Sequence, residues 1–132
     1  MLKPFKKFSW ELTMLSGVLI GFAYQPWKLG FLAYVGFIPI ILVWMQNDSI
    51  KNFKHGYLFG FVYNLISNYW IGCNSGAEFY VVLLSLLFAA GYLAIFWGAC
   101  GYIIGALNKK KPIYYLPFLI VTLEWIRSFG PL

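Results

Sequence analysis

Long apolar segments alternate with short polar or glycine-containing stretches, and five apolar segments account for most of the chain. None keeps the strict apolar–polar alternation of a half-buried strand, and each exceeds the roughly 10 residues of a membrane barrel strand. The fourth is longer than the roughly 20 residues that cross a bilayer, so we expect it to tilt or protrude. The pattern predicts five helices, at about residues 10–24, 30–45, 56–73, 77–107 and 112–126.

The composition indicates that the predicted helices lie in a membrane. Hydrophobic residues make up 61% of the chain and charged residues only 11%, which is too few to cover the surface of a soluble domain of 132 residues. No stretch is polar enough to form a separate soluble catalytic domain. The predicted fold class is therefore all-α, a single polytopic transmembrane helix bundle over residues 1–132.

The basic residues predict how the bundle is oriented. They lie at the ends of the apolar segments, so the positive-inside rule explains the net charge of +6 better than a nucleic-acid partner does. If the N-terminus is cytoplasmic, only Lys28 and Arg127 fall outside. The other basic residues fall inside, namely Lys3, Lys6, Lys7, Lys51, Lys54, Lys109, Lys110 and Lys111. We therefore predict a cytoplasmic N-terminus, a C-terminus outside and no nucleic-acid partner.

Small residues and prolines indicate how the helices pack. Glycines recur four positions apart in three segments, in the pairs Gly17–Gly21, Gly56–Gly60 and Gly101–Gly105. Close backbone approach supplies packing energy between helices in lipid, so these pairs favour an intramolecular bundle, with a dimer as the alternative. Pro39 and Pro117 lie inside the second and fifth segments and should kink or unwind them. The oligomeric state stays undetermined.

Polar residues in the third segment form a candidate site. Asn64 and Asn68 continue its glycine face, and Ser67 lies beside them. Polar side chains in a span usually face other helices or a wet cavity. Two interpretations therefore stand, namely hydrogen bonds between helices and the wall of a cavity for a lipid headgroup.

Two charged residues near the end of the fifth segment complete the candidate site. Glu124 and Arg127 are three positions apart, which places them on one helix face. A charge at this depth is costly unless it is paired or reaches the headgroup level. The pair is therefore either a structural ion pair or a grip on an anionic lipid head.

The remaining reactive residues suggest no chemistry. We expect His55 to be a solvated loop residue beside Lys54, and Cys73 and Cys100 to pack as small hydrophobes without forming a disulfide. The sequence contains no recognisable metal-ligand cluster, phosphate-binding loop or Ser/His/Asp set. We therefore assign no catalytic residue, no metal and no cofactor.

Several segments taken in order resemble one family of enzymes. GFAYQPW at 21–27, LAYVGFIPI at 32–40, GYLFGF at 56–61 with NYWI at 68–71, and LEWIRSFG at 123–130 are similar to the opening spans of apolipoprotein N-acyltransferases. The order and spacing match over nearly the whole chain. The resemblance extends to Glu124 and Arg127, which fall in the family's Glu-Trp-Leu-Arg segment.

The resemblance implies an activity and a location. The family transfers an acyl chain from a phospholipid to the N-terminus of a diacylated lipoprotein, at the outer face of the bacterial inner membrane. Its catalytic residues belong to a nitrilase-like domain that follows the early spans. The chain is therefore expected to be the multi-pass N-terminal membrane part, lacking that domain and inactive alone. A small stand-alone scaffold or lipid-binding membrane protein, and a small transporter, remain the alternatives.

Overall fold

The computed structural model describes residues 7–24, 27–107 and 111–130, and every regular element within these ranges is helical. The elements are α1 (Ser9–Ala23), α2 (Leu32–Gly36), α3 (Ile38–Gln46), α4 (Ser49–Ser67), a short 3-10 helix (Tyr69–Cys73), α5 (Phe79–Leu107) and α6 (Pro112–Ser128). The predicted all-α class is confirmed. Pro26 and the lysines at positions 3, 6, 109 and 110 lie outside the described residues.

The second predicted helix is two helices. The break falls at Phe37, between α2 and α3, and Pro39 occupies the first turn of α3. A proline is tolerated there because the first backbone N–H groups of a helix have no partner within the helix. Pro39 therefore starts a helix rather than kinking one. By contrast, α6 continues through Pro117.

The third predicted helix begins earlier than its apolar pattern suggests. Helix α4 starts at Ser49, so Lys51, Lys54 and His55 are helical rather than part of a loop. Its α-helical part ends at Ser67, and the 3-10 helix replaces the last turns of the predicted segment. The sequence pattern missed about the first two turns because lysines and Asn52 interrupt its hydrophobic character.

The glycine pairs join α1, α4 and α5 within one chain. A Cβ atom added at Gly21 would lie 2.7 Å from the Cβ of Ile66, and one at Gly105 would lie 2.7 Å from the Cα of Ser49. Gly17 lies beside Phe59 and Gly21 lies beside Ile66, so residue numbers rise in the same direction along α1 and α4, and these two helices run parallel. Helices α4 and α5 run antiparallel. The predicted intramolecular packing of the glycines is confirmed.

The interior of the bundle contains polar residues beside its hydrophobic core, and many large apolar side chains are exposed on its exterior. Ser16 donates to the carbonyl of Gly36, and Asn52 donates to the carbonyl of Trp44 at 2.9 Å, so buried polar groups tie neighbouring helices together. The buried polar residues are Ser9, Thr13, Ser16, Asn47, Asn52, His55 and Asn64. Large apolar side chains on α5 and α6 are exposed instead, among them Phe88, Phe118 and Val121.

One described helix, α5, is both long enough and apolar enough to cross a bilayer by itself. It has 29 residues, and only 17% of its most apolar window is buried, so it is not the enclosed core helix of a soluble protein. Residues 9–23 and 32–46 form shorter apolar helical stretches. Five membrane spans therefore remain a prediction.

Both cysteines are free, as predicted, but they differ in environment. Cys100 is buried in the core beside Trp44 and Phe59. Cys73 is exposed at the end of the 3-10 helix, so the expectation that it packs as a small hydrophobe is wrong. The short 3-10 helix leads directly into the turn before α5 and buries none of its residues.

Candidate functional site

A cleft of about 650 Å³ opens where the ends of several helices meet, and all four predicted site residues line it. Asn64 and Asn68 come from α4, and Glu124 and Arg127 come from the end of α6. The remaining lining residues are Tyr24, Tyr63, Ser67, Trp70, Ile71, Ala89 and Leu93. The fold thus brings together two groups of residues that lie about half a chain apart.

Glu124 and Arg127 form an ion pair at the mouth of the cleft. Arg127 Nη2 lies 2.5 Å from Glu124 Oε2, as the spacing of three residues on a helix predicts. Glu124 remains 53% exposed and Arg127 40% exposed. An arginine carries five N–H donors, so the contact with Glu124 leaves others for a further anion. The ion pair is present, and it does not use up the hydrogen-bonding capacity of Arg127.

Asn64 and Asn68 form a chain of hydrogen bonds along α4. Asn64 is buried and donates through Nδ2 to the carbonyl of Gly60 at 2.7 Å, while Asn68 Nδ2 donates to Asn64 Oδ1 at 3.3 Å. Both bonds join residues four positions apart in α4 and its C-cap, so they are local and do not link α4 to another helix. An asparagine side chain in a helix readily donates to the backbone carbonyl one turn earlier, and Asn64 makes this local bond.

Two tyrosines belong to the cleft, and sequence reasoning did not place them there. Tyr24 follows the end of α1, and its ring centroid lies 5.4 Å from that of Tyr63 on α4. Tyr63 also packs at 6.0 Å against Trp97 of α5, which fixes its ring between helices. The only signal in the sequence is that Tyr63 directly precedes Asn64.

His55 is the clearest error of the sequence analysis. It is buried in α4, where its Nδ1 lies 2.9 Å from the Thr13 hydroxyl, and the Trp10 ring stacks on it with centroids 4.0 Å apart. Thr13 in turn donates to the carbonyl of Ser9 at 2.8 Å. His55 thus ties α4 to α1, far from the cleft. A lone histidine next to lysines gave no sign of this partner.

The polar residues of the cleft do not include a cluster of metal-ligating side chains. Across the ranges 7–24, 27–107 and 111–130, no three His, Cys, Asp or Glu side chains come together in a group that could hold a metal ion. The cleft instead combines one acid, one guanidinium, amides, hydroxyls and an apolar wall. Such a set suits an amphiphilic molecule with a charged head.

The fold and the cleft define a class of protein, namely an all-helical bundle with polar residues buried beside a hydrophobic core, many exposed apolar side chains and a lateral polar cleft. The comparison with known proteins supplies the family. The profile of the apolipoprotein N-acyltransferase N-terminal domain matches residues 16–132, and the chain belongs to this family. The resemblance drawn from the sequence is confirmed.

Two curated relatives carry the same family name. The chain is 27% identical over 127 residues to the apolipoprotein N-acyltransferase of Methylococcus capsulatus, which covers 89% of the chain and 25% of that protein. It is 27% identical over 124 residues to the apolipoprotein N-acyltransferase of Geobacter metallireducens, with 89% and 24% covered. The chain thus spans about a quarter of the length of these relatives. No solved structure matches it.

Proposed function

We propose that this chain is the membrane-embedded N-terminal part of an apolipoprotein N-acyltransferase, and that its cleft receives the headgroup of a phospholipid. The family match supports the first statement. The second rests on one observation, namely that Arg127, Glu124, Asn64 and Asn68 line a single cleft. The lipoprotein substrate and the acyl-transfer reaction are proposed from the names of the relatives.

The distribution of polar groups supports membrane embedding. Water hydrates polar groups on the surface of a soluble protein, whereas lipid cannot, so membrane helices turn polar side chains inward. Here the buried set includes Thr13, Asn52 and Asn64, while Phe88 and Phe118 are exposed. A soluble protein with this surface would present far more contiguous apolar area than monomers usually do.

The helix directions support five spans with a cytoplasmic N-terminus. The chain passes back and forth so that Lys7, Lys51, Lys54 and Lys111 are exposed towards one end, away from the Arg127 end. A periplasmic reporter fused after residue 130 should be active, and a cytoplasmic reporter there should be silent. Fusion within the loop after Gln46 should give the opposite result. A cytoplasmic signal from the C-terminal fusion would overturn the orientation.

Arg127 is the proposed phosphate ligand. Guanidinium groups bind phosphate through paired N–H donors, and contacts of this kind are stronger than neutral hydrogen bonds. Asn68 and the tyrosines can donate further bonds from the cleft wall. The apolar side of the cleft, formed by Ile71, Ala89 and Leu93, would contact the glycerol and upper acyl region.

Lipid titration of the purified chain tests this assignment. Native mass spectrometry in detergent would compare dioleoyl phosphatidylglycerol with dioleoylglycerol, which lacks the phosphate. We expect the phospholipid to bind preferentially, Arg127→Gln to remove the preference, and Lys28→Gln, which changes the other outer cation, to retain it. Equal binding of both lipids, or an unchanged preference in Arg127→Gln, would overturn the headgroup site.

We expect the chain alone not to transfer acyl groups. Cys73 is exposed and Cys100 is buried, and in the described ranges neither lies within a group of three acids, histidines or cysteines. A thiol needs a neighbouring base or a positive environment to become a nucleophile. Incubation with phospholipid and a diacylated lipopeptide should give no N-acylated product. Product that disappears in Cys73→Ala would contradict this expectation.

A further inference from the structure

We propose that the junction of α3, α4 and α5 binds an ordered internal water molecule, held by the indole N–H of Trp44 and the side-chain carbonyl of Asn52. Both residues are fully buried, and neither atom makes a hydrogen bond within the part of the chain that the structure describes. The site is independent of the proposed function. It lies about 18 Å from the cleft along α4, the distance from Asn52 to Asn64 at a helical rise of about 1.5 Å per residue.

Gly101 of α5 brings the two residues together. A Cβ atom added at Gly101 would collide with the backbone carbonyl of Asn52 and would lie 2.8 Å from Nε1 of Trp44. The Asn52 amide also donates through Nδ2 to the backbone carbonyl of Trp44 at 2.9 Å. The two atoms that lack a partner among the described residues therefore belong to one junction of three helices, and not to separate parts of the core.

The hydrogen-bonding character of the junction is fixed. An indole N–H can only donate a hydrogen bond, and a side-chain amide oxygen can only accept one. Turning the Asn52 amide over would set its oxygen against the Trp44 carbonyl, which is also an acceptor, so Nδ2 remains the atom that faces Trp44. The group that completes the junction must therefore accept from Trp44 Nε1 and donate to Asn52 Oδ1.

Water is the ligand that meets both requirements. It donates and accepts hydrogen bonds, and buried waters in proteins make about three bonds to polar groups that otherwise have no partner. A metal cation would be repelled by the N–H of Trp44, and an anion would be repelled by Oδ1 of Asn52. The side-chain amide nitrogen of Gln46, at the end of α3, is also buried without a partner among the described residues and supplies a further donor.

The position of the site indicates what the water stabilises. Helix α3 ends at Gln46 and α4 begins at Ser49, so the chain reverses through a short turn beside the junction. A water shared by Trp44 and Asn52 links the last turn of α3 to the first turn of α4 across this connection. Because Gly101 contacts both residues, the same water also fixes the turn against α5.

Magnetic resonance of the 132-residue chain in detergent, with its tryptophans labelled with nitrogen-15, tests the site. Water-selective NOE and ROE spectra are read at the indole N–H of Trp44, whose signal is assigned by its loss in Trp44→Phe. A bound water gives cross-peaks of opposite sign in the two spectra, whereas exchange of the proton with solvent gives the same sign. We expect opposite signs at Trp44, and the exposed Trp27 in the loop after α1 is the reference for exchange. No transfer at Trp44, or transfer of the exchange type, would overturn the proposal.

Variants test the second ligand of the water. Asn52→Leu removes the amide oxygen and should abolish the transfer to Trp44, whereas Asn47→Leu, at a neighbouring buried asparagine that bonds to the Val43 carbonyl, should retain it. Ser49→Ala should also retain the transfer, which excludes the Ser49 hydroxyl as the source of the proton. Transfer that persists in folded Asn52→Leu, or disappears in either control, would overturn the assignment. Should Asn52→Leu fail to fold, the spectra of the native chain and of Ser49→Ala decide the proposal.

Discussion

The two sides of α5 pack in opposite ways. Towards α4 it presents small residues, including Ala90, Ala94, Gly98 and Gly101, and the two backbones come into contact. Towards α6 it presents Leu93 and Phe96, and the two helices stay apart around a groove and a cleft. Trp97 contributes to both sides, because it lines the groove and its ring also packs against Tyr63 of α4. Small side chains permit close helix packing in lipid, whereas large ones hold a neighbour at a distance.

The difference assigns separate roles to the two interfaces. The α4–α5 interface carries the buried glycines, and α1 packs parallel to α4 with a polar link between Thr13 and His55. The α5–α6 interface buries little and holds the charged pair. A ligand-binding site needs accessible surface next to a well-packed element. Helix α5 is the well-packed element that lines both the groove and the cleft.

The largest expected effect follows from crowding the tight interface. A Cβ atom at Gly56 would collide with the backbone carbonyl of Trp97, which cannot move without shifting α5. Gly56→Ala should therefore destabilise the bundle by about 3 kcal/mol, at the upper end for overpacking of a core. Gly91→Ala is the matched control, since its added Cβ would meet only the Tyr57 hydroxyl at 3.4 Å. Thermal unfolding in detergent measures both, and equal losses would show that contact with the Trp97 backbone does not limit the packing of α4 on α5.

A smaller effect is expected at the polar link between α1 and α4. Thr13→Val keeps the shape of the side chain but leaves His55 Nδ1 buried without its partner, which should cost about 1–2 kcal/mol. Thr122→Val on α6 is the control, because the Thr122 hydroxyl is exposed and bonds only to its own helix, at the Phe118 carbonyl. The unfolding temperature should fall for Thr13→Val and stay nearly constant for Thr122→Val. A similar fall in the unfolding temperature of both variants would show that the hydrogen bond between Thr13 and His55 does not stabilise the protein.

The smallest effect is expected in the loose interface. Glu124→Ala should destabilise the lipid-free chain more than Arg127→Ala does, and each change should cost on the order of 1 kcal/mol. Removing the acid leaves the less exposed arginine as a cation without its partner, whereas removing the arginine leaves the acid at the more exposed position of the pair. Unfolding of both variants in detergent measures the order.

Lipid binding should reverse that order. Arg127→Ala should weaken phosphatidylglycerol binding more than Glu124→Ala does, because the guanidinium is the proposed phosphate ligand. The same titration by native mass spectrometry compares them. If Arg127→Ala is the more damaging change even without lipid, the ion pair serves chiefly to hold α6 in place, and the functional contrast between the two interfaces weakens.

The sequence alone determined the elements and the local partners. Uninterrupted apolar runs required helices, the glycine pairs required close helix contacts, and a spacing of three residues required Glu124 and Arg127 to meet. Each inference depends on residues within one helix or on the average behaviour of a residue type, so no knowledge of the fold was needed. The family could be recognised for a similar reason, since the order of its motifs is a property of the chain.

Tertiary structure decided everything that depends on which helix lies beside which. It buried His55 against Thr13, added Tyr24 and Tyr63 to the cleft, and placed the α4 asparagines opposite the α6 ion pair. These neighbours are tens of residues apart, and many pairings of similar helices satisfy the same hydrophobic pattern. Only the close fit of small and large side chains across each interface selects one pairing, and that selection created the cleft.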